Sequence, residues 1–196
     1  MAVRTGPVTR DASTVPLGLG KVLVGPSLAN IASKGTVLDQ TIDSLGALNS
    51  SNFTSTVEYW KLKSGFPELE DLTIPLSEVA QIDCEFKEVH PRNLAFARGL
   101  DASSGYPDNH SGEIALGAIL EPAIVRAEMI YTYPNKTNRM IVIFPRAQVT
   151  SSVTLSLNAT DNANVPITIE SKRSDSDISG GNSAWDSSPL GRIFFD

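Results

Sequence analysis

Residues 79–88 read VAQIDCEFKE, and this stretch decides the fold. Every second position is apolar: Ala80, Ile82, Cys84 and Phe86. The positions between them are polar: Gln81, Asp83, Glu85 and Lys87. Alternation with a period of two is typical of a β-strand that buries one face and exposes the other to water. The pattern predicts such a strand here, with Cys84 as a small buried hydrophobic residue.

Strand patterns recur on both sides of this stretch. Strand-like segments lie at 19–24, 42–48, 125–131, 153–157 and 165–169. Residues 140–144 are instead a continuous apolar run, which predicts a strand covered on both faces. Turn-forming residues at 134–138 predict a hairpin that pairs this strand with the one before it. A second hairpin is expected between 153–157 and 165–169, because several Asn and Asp residues separate them.

One segment favours a helix. Pro91 is acceptable at a first helical position, residues 92–98 contain no β-branched side chain, and Gly99 offers a stop. A helix this short is marginal in water, so we expect it to dock on the sheet. The whole pattern predicts a mainly β protein, an antiparallel β-sandwich or barrel with one short α-helix.

Residues 52–76 predict a long hairpin that projects from this domain. The segments 52–62 and 69–76 are strand-like, and Ser64, Gly65 and Pro67 separate them. The first segment carries large apolar side chains on both faces, and a two-stranded ribbon is unstable alone. A long edge with such side chains is an assembly surface or an aggregation hazard, so we expect another molecule to cover it.

The length of 196 residues indicates one domain with arms. Residues 1–18 are rich in Thr, Pro and Gly and predict an N-terminal arm. Residues 19–173 hold the strand patterns and predict the β-domain, and residues 174–196 predict a C-terminal extension rich in Ser, Gly and Asp. One cysteine cannot form an intrachain disulfide, so packing of the core must hold the domain together.

Acidic residues outnumber basic ones, 22 to 16, which gives a net charge of −6. This excess opposes binding to the phosphates of DNA and to anionic lipids. No segment approaches the roughly 20 continuous apolar residues of a membrane-spanning helix. The first residues lack the hydrophobic stretch of a secretory signal, so we expect the chain to fold in the cytosol where it is made.

The motifs give little support to an enzyme. The two histidines are His90 and His110, so a Ser–His–Asp arrangement would need one of them. The sequence has no P-loop, no G-x-S-x-G and no G-x-G-x-x-G motif. We expect no catalytic residue, no cofactor site and no resident metal.

One pattern leaves a calcium site open as an alternative. Five residues have the spacing of an EF-hand-like loop: Asp175, Asp177, Ser179, Gly180 and Asp186. The last position of such a loop is usually Glu, and no helices are expected on either side. A flexible linker is the other interpretation of this tract.

Taken in order, these features resemble the major tail protein, or tail tube protein, of long-tailed bacteriophages. The similarity covers about residues 19–171. The matching segments are LGKVLVG (19–25), IDSLGAL (42–48), FTSTVEYWKLKSGFPEL (53–69), VAQIDCEFKEV (79–89) and HPRNLAFARGLD (90–101). The resemblance lies in the order of the elements, which is a strand, a long hairpin, a strand, a short helix and further strands.

The resemblance implies a structural virion protein. In that family six copies close a ring, and rings stack into a hollow tube that conducts the genome. The hairpin would reach an adjacent ring and bury large side chains there: Phe53, Tyr59, Trp60, Leu62 and Phe66. The polar face of the 79–88 strand, with Asp83 and Glu85, would line the lumen, where repeated negative charge repels DNA phosphates.

The resemblance also implies partners and a location. The partners are other copies of the chain, a tape-measure protein, tail terminator and baseplate proteins and, in a contractile tail, a sheath protein. Double-stranded DNA would pass through the tube without specific binding, and no membrane is involved. The protein would belong to the virion tail and assemble in the cytoplasm of the host bacterium.

Two other classes of function stay open. A virion-surface or secreted β-sandwich that binds carbohydrate or a receptor would have a concave aromatic pocket, with calcium at residues 175–186 as a stabiliser. A hydrolase would need His90 or His110 beside a carboxylate.

Overall fold

Seven β-strands form one antiparallel sheet in the computed structural model of the protein. They are β1 (Lys21–Pro26), β2 (Leu48–Ser64), β3 (Leu69–Phe86), β4 (Val125–Thr132), β5 (Arg139–Val149), β6 (Val165–Ser171) and β7 (Arg192–Phe195). Their order is β1-β4-β5-β6-β3-β2, and β7 pairs with β5 beside β6. The structure describes residues 18, 20–26, 31–89, 91–100, 114, 116–117, 121–134, 137–150, 153–155 and 164–196.

The main hydrophobic core lies on one face of this sheet. Six strands and the helix contribute to it, with residues that include Val22, Leu48, Ile82, Phe86, Phe96, Met129, Phe144 and Ile167. The alternation predicted for residues 80–86 is confirmed, because Ala80, Ile82, Cys84 and Phe86 are all buried in this core.

The predicted helix is confirmed as α1 (Pro91–Ala97). Its side chain Asn93 is fully buried and donates from Nδ2 to the carbonyl oxygens of Leu45 and Glu88, at 2.9 and 3.0 Å. Phe96 enters the main core, and Gly99 ends the helix with a φ of 76°, a conformation that glycine adopts without strain. The short helix is therefore held by the sheet, as its length requires.

A second, smaller core covers the opposite face of β4 and β5. It contains Leu23, Ile130, Ile141, Ile143 and Trp185. On β5, Val142 and Phe144 belong to the main core, while Ile141 and Ile143, which alternate with them, belong to the second core. The strand is thus covered on both faces, as the apolar run 140–144 predicts.

The mainly β, antiparallel prediction with one short helix and a long hairpin is confirmed, but the sheet does not close into a barrel. Strands β1 and β2 end the strand order and do not pair with each other. Residues 43–47 lie across this opening instead. Val24 N–H donates to the carbonyl of Asp43 and Lys87 N–H to that of Ala47, each at 2.9 Å.

Two expected strands are wrong in the described residues. Residues 42–47 form turns and a single bridge between Leu23 and Ser44, because among the described residues only the backbone hydrogen bonds of Val24 with Asp43 and of Leu45 with Val22 join them to β1. Residues 153–155 are not strand, and the partners of β6 are β3 and β5. Residues 156–157 of the predicted partner lie outside the described residues. The hairpin of β4 and β5 is confirmed.

A buried ion pair attaches residues 31–38 to the second core. Arg126 and Glu128 on β4 are both fully buried, and Nε donates to Oε1 at 2.8 Å. Arg126 also donates to the carbonyls of Ser33 and Gly35, at 3.0 and 2.7 Å, and Glu128 Oε1 accepts the Val37 N–H at 3.1 Å. The charges thus meet backbone partners that offset their desolvation.

Residues 174–196 pack on the sheet in the structure, although the sequence predicts a loop-like extension. Trp185 is fully buried in the second core, and its Nε1 donates to the carbonyl of Ile31. The four residues of β7 pair with β5 from Met140 to Ile143. The C-terminal strand therefore pairs within its own chain, and the domain boundary at 173 stays a prediction.

We expect Trp185→Ala to lower the free energy of unfolding by about 3–5 kcal/mol, because it leaves a large cavity in the second core and frees the Ile31 carbonyl. Urea unfolding followed by circular dichroism measures the change. Ser187→Ala, at an exposed neighbour, should stay within about 0.5 kcal/mol of the parent. Equal midpoints for Trp185→Ala and the parent would contradict the burial of this segment.

Candidate assembly surface

The foot of the β2–β3 hairpin has one apolar side and one polar side. Residues directly opposite each other in an antiparallel pair share a side of the ribbon. Phe53 lies opposite Ile82 and Ser55 opposite Ala80, on the side that faces the main core. The other side is polar and is called here the polar base face: Asn52, Thr54, Gln81, Asp83, Glu85, Thr168 and Glu170.

Two register shifts reorganise the hairpin beyond its foot. Glu58 pairs with Ser77 but Tyr59 pairs with Pro75, so Leu76 is an extra residue on β3. Leu62 pairs with Leu72 but Lys63 pairs with Glu70, so Asp71 is a second extra residue. An extra residue on β3 moves the side chains that lie between it and the tip of the hairpin to the opposite side of the ribbon.

The shifts collect the large apolar residues of the distal hairpin on one side. Trp60 lies opposite Ile74, Leu62 opposite Leu72, and Ser64 opposite Leu69. This surface, called here the apolar tip face, consists of Trp60, Leu62, Leu69, Leu72 and Ile74. Its side chains are 39–66% exposed. It continues the side of the ribbon that is polar at the foot, so the hairpin reverses its polarity between foot and tip.

The reverse side of the distal hairpin is polar. Lys61 Nζ donates to Glu70 Oε2 at 2.9 Å, and Thr73 Oγ1 donates to Glu70 Oε1 at 2.7 Å. The Thr73 hydroxyl and then Lys61 lower the pKa of the Glu70 carboxyl, so it stays ionised at neutral pH. Only one side of the tip is therefore suited to burial against another molecule.

The structure separates the five predicted interface residues. Trp60 and Leu62 lie on the apolar tip face, and Phe66 is fully exposed in the turn at residues 65–68. Tyr59 is 56% exposed on the polar reverse side. Phe53 is half-buried at the foot, with its ring centroid 6.3 Å from that of Phe144. The sequence alone did not reveal Leu69, Leu72 and Ile74 as neighbours of Trp60, because simple alternation does not show the two extra residues.

The two predicted lumen residues lie together on the polar base face. Asp83 Oδ1 accepts from Thr168 Oγ1 at 2.7 Å and Oδ2 from Gln81 Nε2 at 2.8 Å. Glu85 Oε2 accepts from Asn49 Nδ2 at 2.9 Å. Glu170 adds a third carboxylate and is paired with Lys172 at 2.6 Å. The face thus carries negative charge that hydrogen bonds hold in place.

A pocket of about 200 Å³ opens between the foot of the hairpin and β7. Its apolar wall consists of Phe53, Ala80, Val142, Phe144, Leu190 and Ile193. Two charged side chains, Glu78 and Arg192, also line it, together with Ser55. We call it the foot pocket.

The edge of β3 beside this pocket is free of strand partners within the described residues. Strand β6 pairs with β3 only from Gln81 to Phe86, while β3 begins at Leu69. Strand β2 ends the strand order on one side and presents its outer edge, whereas residues 43–45 cover the outer edge of β1 at the other end. Unpaired edges of this kind are sites for pairing with another chain.

The remaining chemical candidates have other roles or positions. Burial, and then the charge of Asp83, raises the pKa of the Cys84 thiol to about 12, so the thiol is unreactive at neutral pH. Arg173 donates to Asp175 and Asp177 at 2.7 Å each, and Asp186 Oδ1 accepts from Ser176 N–H and Oγ at 2.9 and 2.8 Å. The carboxylates of the proposed calcium loop thus have partners within the chain. His90 and His110 lie outside the described residues.

Among the described residues, no helix is long and apolar enough to cross a membrane. No group of three or more His, Cys, Asp or Glu side chains in that same part of the chain is arranged to hold a metal ion.

Comparison with known protein families and with curated proteins gives no match. Among solved structures, the chain is similar to the tube-terminating cap of the anti-feeding prophage, with 12% sequence identity over 100% of this chain and 99% of that chain, at a TM-score of 0.47. A chain of the PVC sheath–tube complex, an extracellular contractile injection system in its extended state, shares 14% identity over 94% of each chain, at a TM-score of 0.45. The PVC sheath/tube terminator shares 13% identity over 93% of this chain and 96% of that chain, at a TM-score of 0.44.

Proposed function

We propose that this chain is a structural protein of a phage tail or a related tail-like particle, in which six copies close a ring and rings stack into a tube. The observation that carries the proposal is the apolar tip face, which is held outside the core and left 39–66% exposed. Contiguous exposed apolar surface of this kind marks an interaction site. The ring and the tube are what the resemblance of residues 19–171 to tail tube proteins implies.

The energetics favour many repeated contacts over a single pair. Burying apolar surface stabilises by about 25 cal/mol per Å², so one tip face contributes several kcal/mol. Association of two molecules costs about 4–15 kcal/mol in lost freedom, which is of the same size. In a closed ring that stacks on another ring, one association event forms several tip contacts together, so assembly is favourable where an isolated pair is marginal.

The free edges give the ring a route to lateral closure. The outer edge of β2 and the part of β3 that precedes Gln81 offer backbone N–H and C=O groups to a neighbouring copy. Pairing of these edges around a closed ring removes them from solvent. The hairpin then remains available for the contact between rings.

Trp60→Asp tests the role of the hairpin directly. It places a charge in the apolar tip face but lies outside both hydrophobic cores, so we expect a folded protein whose rings no longer stack into tubes. Negative-stain microscopy and light scattering over a concentration series measure assembly, and circular dichroism measures folding. Thr56→Asp, an exposed residue of the same strand outside the tip face, is the matched control and should assemble.

Normal tubes from Trp60→Asp would contradict the proposal that the tip joins the rings. A parent protein that stays monomeric at all concentrations and binds sugars would instead favour the carbohydrate-binding alternative.

The polar base face is proposed to line the lumen. Asp83 and Glu85 lie on β3 and Glu170 on the adjacent β6, where Glu170 is paired with Lys172. Repetition around a ring gives a negative channel surface, which DNA phosphates pass without binding. If the face pointed outward, its charge would have no effect on DNA inside the tube.

Glu85→Lys is expected to make assembled tubes retain more double-stranded DNA at low salt than the parent, because it replaces one negative charge of each copy at the lumen by a positive one and so removes most of the repulsion. Retention should fall steeply as salt is raised. Co-sedimentation of DNA with tubes measures it. Glu121→Lys makes the same change of net charge at an exposed site outside the polar base face. Equal retention by the two variants would mean that net charge alone acts and that the lumen assignment is wrong.

A further inference from the structure

The foot pocket and the hairpin turn have complementary sizes and chemistry. The pocket has a volume of about 200 Å³ and a mostly apolar wall. An apolar cavity of about 150 Å³ is enough to bind a benzene ring. Phe66, in the turn between β2 and β3, presents a fully exposed phenyl ring of that kind.

The phenyl ring of Phe66 cannot reach the foot pocket of its own chain. Phe53 lines the pocket, and the strand from Phe53 to Phe66 spans roughly 40 Å at about 3.3 Å per residue. The hairpin is paired along this whole length. A phenyl ring in the foot pocket must therefore come from a second copy.

The charges on the two surfaces also match. Lys63 and Glu68 lie on either side of Phe66 in the sequence. The foot pocket carries Glu78 and Arg192. Lys63 of one copy can thus pair with Glu78 of the next, and Glu68 with Arg192. Each end of the turn then lies beside opposite charge when the phenyl ring of Phe66 enters the pocket.

We infer that Phe66 of one copy inserts into the foot pocket of the next copy, with Lys63 and Glu68 facing Glu78 and Arg192. An exposed apolar residue and a complementary pocket elsewhere on the same molecule make a head-to-tail contact, which propagates rather than closing as a dimer. Each copy thus inserts its own Phe66 into one neighbour and receives Phe66 of another neighbour in its foot pocket. The inference rests on the proposed stacking and specifies which surface of the neighbouring copy receives the hairpin.

Disulfide trapping tests this contact. The double variant Glu68→Cys with Arg192→Cys places one thiol beside Phe66 and one at the pocket, too far apart to join within a chain. Cys84 does not compete, because burial raises its pKa to about 12. After mild oxidation at concentrations where the parent assembles, non-reducing electrophoresis should show a ladder of covalent multimers. Glu68→Cys with Thr41→Cys is the matched control and should give no ladder.

Addition of Phe66→Ala to the Glu68→Cys, Arg192→Cys chain should abolish the ladder, and Phe66→Leu should retain most of it because an apolar side chain still enters the pocket. Microscopy of the same samples distinguishes failure of the pocket contact from failure of assembly itself. Assembled tubes without a ladder, or a ladder that survives Phe66→Ala, would overturn the pocket contact alone. Absence of any assembly by the parent would overturn this contact together with the proposed function.

Discussion

The register of the β2–β3 hairpin is the constraint on which the rest of the structure depends. At its foot, pairing places Phe53 and Ile82 toward the main core. Beyond the foot, the extra residues Leu76 and Asp71 shift the pairing, so the large apolar side chains gather on the side that is polar below. A strict alternation would instead have divided them between both sides. The chain thereby buries one end of the hairpin and exposes an apolar surface at the other.

The remainder of the fold anchors this arm. Strand β3 lies between β2 and β6 over residues 81–86, and its inward side chains there are buried. On the opposite face of the sheet, the Arg126–Glu128 pair and Trp185 attach residues 31–38 and the C-terminal segment. With these two segments packed on the second core, the β2–β3 hairpin extends outward from the described part of the chain. Its exposed surface is therefore a product of a well-packed base rather than of incomplete folding.

Local sequence patterns predict most of the strands and the helix. They do not predict contacts between residues that are distant in the sequence. Alternation predicted the buried positions of residues 80–86, and the lack of β-branched residues predicted α1. The buried role of Trp185 could not be read from a Ser, Gly and Asp tract, because its partner Ile31 lies far away in the sequence. The register shifts likewise depend on backbone pairing between the two strands. The sequence pattern therefore does not predict that Leu69, Leu72 and Ile74 lie on the same side of the hairpin as Trp60. The interface and lumen roles of the predicted site residues stay predictions: Phe53, Tyr59, Trp60, Leu62 and Phe66 for the interface, and Asp83 and Glu85 for the lumen.

The most direct test of the central claim uses the two tryptophans of the chain. Trp60 is 46% exposed and Trp185 is fully buried, so the second serves as an internal reference. Acrylamide quenching of fluorescence should find one accessible tryptophan in dilute, monomeric protein and none once the protein assembles at higher concentration. Quenching of one tryptophan that persists unchanged in the assembled state would show that copies of the chain do not cover the apolar tip face, and would contradict the account.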